Sequence, residues 1–177
     1  MKYYFIVLFI FILWSCTNQT PEEKRIEETL GSELNLKMFK TILFQGDSLS
    51  FEDFNQRFKY KSIVYLLSGC SPCHDKYITW HKEMDSIETG GNYTILFIIR
   101  GKFADEFLNE VDLIESVEDK YYIAMDPNYF YPEGNREVPD WMFERSILID
   151  ENGRICMVGL PFADPNSMKR FKKIIMK

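Results

Sequence analysis

The chain has 177 residues, 46% hydrophobic and 16% aromatic, which is a globular composition sized for one domain and unlike a disordered, collagenous or repeat chain. Twenty-seven acidic against 21 basic residues give a formal charge of -6, which argues against non-specific nucleic-acid binding, since that rests on neutralising phosphates. Four cysteines are too few for a disulfide scaffold and must be read one by one.

Lys2 precedes an unbroken apolar run over 3–14. Twelve helical residues rise about 18 Å, short of the roughly 30 Å of a bilayer core, so the run has the length of a signal-peptide apolar region. It ends in Leu13-Trp14-Ser15-Cys16, which resembles the lipobox of bacterial lipoproteins. The resemblance implies that 1–15 is a signal peptide and that Cys16 is the lipidated first residue of the mature protein, neither a redox thiol nor a metal ligand. Several acyl chains hold a domain stably where one holds it marginally. Thr17 and Asn18 stand where many lipoproteins retained in the inner membrane carry aspartate. The implied location is the cell envelope, on the outer membrane facing the periplasm. The Phe/Tyr/Ile/Lys-rich style resembles Bacteroidetes proteins.

Residues 17–21 form a short polar tether ending in proline. Ile26, Leu30 and Leu34 give 22–36 a helical period that Gly31 interrupts, so only a short helix is expected there. The expected organisation is a signal peptide over 1–15, a lipidated cysteine, tether and short helix over 16–37, and a folded domain over 38–177. A β-type run over 38–44 closes at Gly46-Asp47. Ser50, three residues before Asp53, has capping-box spacing and opens a helix with Phe51, Phe54 and Phe58 on its apolar face.

Residues 62–67 carry a buried-strand signal. Pro72 suits the first turn of the next helix, which runs to Ile87 or Glu88 and ends at Gly90-Gly91. A second central strand follows over 93–99. A helix over 103–117 turns Phe107, Leu108, Val111 and Ile114 inward, and a third strand covers 121–125. The stretch 126–141 is expected to be a loop of sixteen residues, long enough to indicate a functional rim. A hairpin comprises 146–149, the turn Asp150-Glu151-Asn152-Gly153 and 154–160. A helix over 167–175 closes the chain. This order builds an α/β fold with a central mixed sheet between two helical layers, preceded by a short β-α extension.

The chemistry concentrates at Cys70-Ser71-Pro72-Cys73, where a buried strand hands over to a helix. Unpaired N–H groups and the helix dipole favour a thiolate on the first cysteine, and the second lies one turn on, able to close a small disulfide. Cys70 is therefore expected to be the attacking thiolate and Cys73 the resolving thiol, with Pro72 fixing the turn. Half of a zinc site is the rival reading, but no second pair exists; only Cys156, His74 and His81 remain, and no metal is expected. Both histidines are expected on the exposed helix surface, and Cys156 as a buried structural thiol. A structural disulfide without turnover is a further reading.

The motif, with the hairpin Ser146-Ile147-Leu148-Ile149-Asp150-Glu151-Asn152-Gly153-Arg154-Ile155, resembles the thioredoxin-like superfamily over 38–177. Its nearest likeness is to membrane-tethered extracytoplasmic thiol–disulfide oxidoreductases, including bacterial lipoproteins. That resemblance implies a three-layer α/β/α thioredoxin-like fold, exchange with extracytoplasmic protein thiols and disulfides, an unidentified membrane or periplasmic electron donor, no cofactor, and a monomer. The sequence departs from the family at three places. Glu144 and Arg145 occupy the position where a cis-proline normally faces the cysteines, the nearest proline being Pro139. They are expected to face the pair, the acid opposing a thiolate and the arginine favouring it. Val64 stands where relatives keep a buried acid to handle protons, and Leu66-Leu67-Ser68-Gly69 replaces an aromatic approach. Two alternatives stay open. A thiol peroxidase of the same fold would use Arg100 or Arg145, although Leu67 stands where its relatives carry threonine. A non-catalytic binding or assembly lipoprotein would use the Tyr129-Phe130-Tyr131 loop, since loop aromatics can supply hot-spot contacts.

Overall fold

A computed structural model describes residues 19–177; the stretch 1–15 expected to be a signal peptide, and the expected lipidation site Cys16, lie outside the described residues. The strands are β1 (Thr41–Phe44), β2 (Asp47–Ser50), β3 (Tyr60–Leu67), β4 (Tyr93–Arg100), β5 (Tyr122–Met125), β6 (Ile147–Ile149) and β7 (Ile155–Val158). The helices are α1 (Pro21–Thr29), α2 (Phe51–Arg57), α3 (Ser71–Asp85), α4 (Ala104–Ile114), α5 (Phe130–Glu133), α6 (Asp140–Phe143) and α7 (Pro165–Ile175). The strands form one sheet in the order β2-β1-β5-β4-β3-β6-β7. Its centre is parallel, with β3 beside β4 and β4 beside β5, and its flanks pair antiparallel.

The centre is parallel because β3 and β4 are apolar on both faces and are joined through a helix, the only short way to bring two parallel strands side by side. Alternation divides their side chains between two cores. Val64, Leu66, Ile95, Phe97 and Ile99 pack with Tyr77, Trp80, Phe107 and Phe171 under α3, α4 and α7. Ile63, Leu96 and Ile98 pack on the opposite face with Phe54, Tyr122, Tyr131 and Phe143. The sheet between two helical layers is the α/β/α arrangement expected from the sequence.

Several boundaries differ from the sequence expectation. The first strand starts at Thr41 rather than Met38, and Asp47–Ser50, expected as a turn and cap, is a strand paired with it. Ser50 does cap α2, accepting from the Asp53 N–H at 3.0 Å. Helix α3 stops at Asp85 and α4 at Ile114. The stretch 126–141 is not a structureless loop. It holds α5 and the start of α6, organised by the fully buried Asp126, whose carboxylate accepts from the Phe130 and Tyr131 N–H groups at 2.7 and 3.1 Å. Asn135 adds a second buried organiser, donating to the Asn35 and Tyr131 carbonyls at 2.9 and 2.7 Å.

Helix α1 begins at a complete capping box: the Thr20 hydroxyl accepts from the Glu23 N–H, and the Glu23 carboxylate accepts from the Thr20 N–H. Past α1 the chain runs along β7. Gly31 and Leu34 donate to the Ile155 and Gly153 carbonyls, Ile155 donates to Ser32, and Leu34 and Leu36 are buried. Among the described residues no helix is long and apolar enough to cross a membrane.

Candidate active site

Strand β3 leaves the sheet at Leu67 and turns through Ser68 and Gly69. Gly69 has φ +72, a conformation that a side chain disfavours. The turn delivers Cys70 as the N-cap of α3 in extended conformation, with Pro72 in the first turn. The Cys70 carbonyl accepts from the Cys73 and His74 N–H groups at 2.8 and 3.2 Å, closing the first turn under the sulfurs. No capping oxygen and no acidic residue occupies that turn, so nothing anionic competes with a thiolate for the free N–H groups of the helix end.

The two sulfurs meet. The Cys73 thiol donates to Cys70 Sγ at 2.7 Å, the Leu67 N–H donates to Cys73 Sγ at 3.3 Å, and both cysteines are free and half-buried. Burial, and then the bond to Cys70, pushes the Cys73 thiol up to about 11. Cys70 thus receives the hydrogen bond and Cys73 holds its proton, the division of roles that attack and resolution require.

The sulfurs open on a cleft of about 470 Å³, walled by Tyr65, Arg100, Tyr129, Phe143 and Glu144. The Arg100 guanidinium lies 4.5 Å over the Tyr129 ring, and Tyr129 itself has φ 62, a strained value for a bulky residue. Glu144 reaches the cleft as expected by position. Arg145 is not among its lining residues: Arg145 Nη2 donates to Glu22 at 2.8 Å and its guanidinium stacks 4.8 Å over Trp141. No described peptide bond is cis, and Pro139 serves as the N-cap of α6.

Sequence reasoning missed Lys76. It sits one turn beyond Cys73 on the same helix face, lines the cleft, and its Nζ donates to the Glu144 carbonyl at 2.8 Å. Burial lowers its pKa, with Cys73, Glu144 and Cys70 opposing the shift. The spacing of three from Cys73 was the available signal. The lysine therefore pins the segment of the cleft wall that faces the cysteines.

Both histidine expectations are corrected, because His74 and His81 lie on the face of α3 that packs against the rest of the domain. His74 is buried, packs edge-on to Phe107, and its Nε2 lies 3.0 Å from Glu110 Oε2. His81 is buried and stacked on Phe97, with Nδ1 donating to the Tyr77 carbonyl at 3.0 Å; burial lowers its pKa. Cys156 is half-buried on β7 rather than fully enclosed. Among the described residues no three His, Cys, Asp or Glu side chains converge as a metal would require.

Known structures share this architecture. The thioredoxin domain of a thiol-disulfide oxidoreductase from Bacteroides vulgatus is 18% identical, with a TM-score of 0.58 over 82% of this chain and 97% of its own. The fold is thioredoxin-like. A thiol-disulfide oxidoreductase from Bacteroides fragilis is 14% identical, with a TM-score of 0.52 over 81% and 99% of the two chains. A variant of PrxQ from Xylella fastidiosa is 12% identical, also with a TM-score of 0.52, over 82% and 94%. No protein-family model matches the sequence, and no curated protein does. Identities this low establish the thioredoxin-like fold alone, so the chemistry rests on this chain's own residues.

Proposed function

We propose that the protein carries out thiol–disulfide exchange on extracytoplasmic protein cysteines through Cys70 and Cys73. The observation that carries this reading is two free sulfurs 2.7 Å apart at the N-terminus of α3, bordering an open cleft. The Cys70 thiolate attacks a substrate disulfide, forming a mixed disulfide and releasing the second substrate sulfur, which takes up a proton. Cys73 then gives up its proton and attacks Cys70 Sγ. The enzyme disulfide closes, and the first substrate sulfur leaves as a thiol. Two electrons pass from the enzyme dithiol to the substrate, and a membrane or periplasmic donor returns them. The reverse sequence oxidises a substrate dithiol.

Pro72 fixes the turn between the sulfurs, and Glu144 forms the opposite wall, held there by Lys76. Arg145 acts through the same segment by binding Glu22, rather than by touching the reacting atoms. With Val64 in place of an internal acid, the proton on Cys73 leaves through the open cleft to water or to the departing thiolate. In the same reading Cys16 bears the lipid after removal of 1–15, and the 38–177 domain works as a monomer in the cell envelope, on the periplasmic face of the outer membrane.

The test is trapping. Cys73→Ala accumulates a mixed disulfide through Cys70 and loses insulin-disulfide reduction, whereas Cys70→Ala loses both. An active Cys70→Ala variant, or a folded Cys73→Ala variant that captures no disulfide-bonded substrate, overturns the reading.

A further inference from the structure

Arg100 ends β4 beside the turn that delivers the cysteines. It stands in register with Leu67, and its carbonyl accepts from the Ser68 N–H at 3.0 Å, two residues before Cys70. The residue is exposed, lines the cysteine cleft and holds its guanidinium over the Tyr129 ring. The chain has 27 acidic residues against 21 basic ones, yet among the described residues no carboxylate pairs with this guanidinium. The neighbouring cations are committed: Lys76 to the Glu144 carbonyl and Arg145 to Glu22.

The seat of Arg100 is imposed by the fold. Tyr129 has φ 62 and ψ 30, the left-handed region that a bulky side chain rarely adopts. Asp126 enforces it, because its buried carboxylate accepts from the N–H groups of the two residues that follow, Phe130 and Tyr131. Those bonds also turn the Asp126 oxygens to the backbone. Burial, and then Asp126, pushes the Tyr65 phenol up, so it stays protonated and adds no negative charge beside the guanidinium. Strained backbone of this kind persists where its surroundings over-determine it, and it clusters at ligand sites. An aromatic face under a guanidinium occupies none of its edge N–H donors, which leaves the fork open to a carboxylate. A compact space of about 470 Å³ is about 10 Å across, the length of three extended residues. In an extended strand the side chain two positions from a cysteine points to the same side as the sulfur.

We propose that Arg100, seated on Tyr129, selects substrates that carry Asp or Glu two residues from the reacting cysteine. This deepens the exchange reading and rests on it. The substrate carboxylate takes up the free fork in a charge-assisted pair while the substrate sulfur meets Cys70. Glu144 and Asp140 also line the cleft and disfavour the same acid when the strand is reversed, so one strand direction is preferred.

The test uses the reduced full chain and otherwise identical peptides with a single cysteine, joined through its sulfur to 2-thiopyridine. One set carries Asp, Asn or Lys two positions before the cysteine, and a second set carries them two positions after it. Cys70 attacks the peptide sulfur, the S–S bond breaks, and the reporter leaves with a proton as neutral 2-thiopyridone, read by absorbance. Cys73 then gives up its proton, closes the enzyme disulfide and releases the peptide thiol. Rates retained by Cys70→Ala, in which the other cysteines remain, are subtracted. In one of the two sets Asp reacts about tenfold faster than Asn, and Lys reacts more slowly than Asn. Arg100→Met brings the Asp-to-Asn ratio to about one, and a ratio within one protein is unmoved by a uniform loss of activity. About 0.5 M NaCl lowers the ratio at least about threefold in the unsubstituted chain, because the guanidinium is exposed. Equal Asp and Asn rates in both sets, or an Asp preference that survives Arg100→Met or high salt, overturns the proposal and leaves the exchange reading standing. Rates that Cys70→Ala matches with every peptide overturn the exchange reading itself.

Discussion

Two lysines carry the same local device, one near the start of β3 and the other on the helix that follows its end. Lys61, on β3 in register with Thr94 and Ile149, is completely buried and its Nζ donates to the Phe58 carbonyl at 2.6 Å. Lys76, on α3, is half-buried and donates to the Glu144 carbonyl at 2.8 Å. Burial lowers both pKa values, that of Lys61 to about 8. They differ in what opposes the burial. For Lys61 it is the carboxylates of the hairpin turn, Glu151 and Asp150; for Lys76 it is Cys73, Glu144 and Cys70. One ammonium therefore ties a strand to a loop, and the other adds a positive charge to a cleft that contains two sulfurs. The same interaction is structural at one end and belongs to the site at the other because of the groups that share its surroundings.

The largest effect that tests this contrast is in stability against pH. Between about 8 and 10.5 the folded chain has released the Lys61 proton while the unfolded chain keeps it, so stability rises with pH across that window. Lys61→Met removes the rise, a difference of about 3 kcal/mol across the window in paired denaturant titrations. Cys73 acts in the opposite direction, since its raised pKa makes the reduced fold lose stability from about 9 to about 11. It is common to both proteins and cancels in the comparison. Insulin reduction by Lys61→Met stays at the wild-type rate; a fall comparable to that of Lys76→Met would erase the distinction between the two lysines.

Next comes Lys76→Met. Loss of a charge-assisted hydrogen bond at the rim lowers kcat/KM for disulfide exchange about tenfold, while Tm moves by no more than about 2 °C. The electrostatics give a null prediction. Burial lowers Lys76 from 10.5, so it is already neutral at the Cys73 inflection of about 11, and Lys76→Met leaves the pH inflection for Cys73 alkylation unmoved. A displaced inflection would give Lys76 a charge role at the sulfurs beyond holding Glu144. Glu22→Gln has the smallest effect, a Tm change within about 1 °C, because an exposed ion pair contributes little.

The middle of the fold was readable because hydrophobic pattern and chain punctuation agree there. The apolar runs that became β3 and β4, the Asp-x-x-Gly turn and the cysteine motif each have one economical interpretation. Short polar elements carried less information. Asp47–Ser50 pairs with β1 although its composition reads as a turn, since pairing with a neighbour decides its conformation. Asp126 organises α5 from four and five residues upstream, a spacing outside the usual capping pattern. The histidines were misjudged because polar residues on the helix that carries the cysteines look like surface until α4 and β4 are seen to cover them. Their burial depends on Glu110, Phe107 and Phe97, which only the tertiary structure brings close. Lys76 escaped for the same reason: its partner carbonyl belongs to Glu144, 68 residues away.

The most direct test of the redox account is the equilibrium between the Cys70–Cys73 dithiol and disulfide across a series of thiol–disulfide buffers, read by differential alkylation and mass mapping. The account predicts a reversible two-electron couple confined to residues 70 and 73, with a midpoint between about -270 and -120 mV, and Cys156 reduced throughout. Two sulfurs that never link at any poise, or a disulfide that forms instead through Cys156, would contradict it.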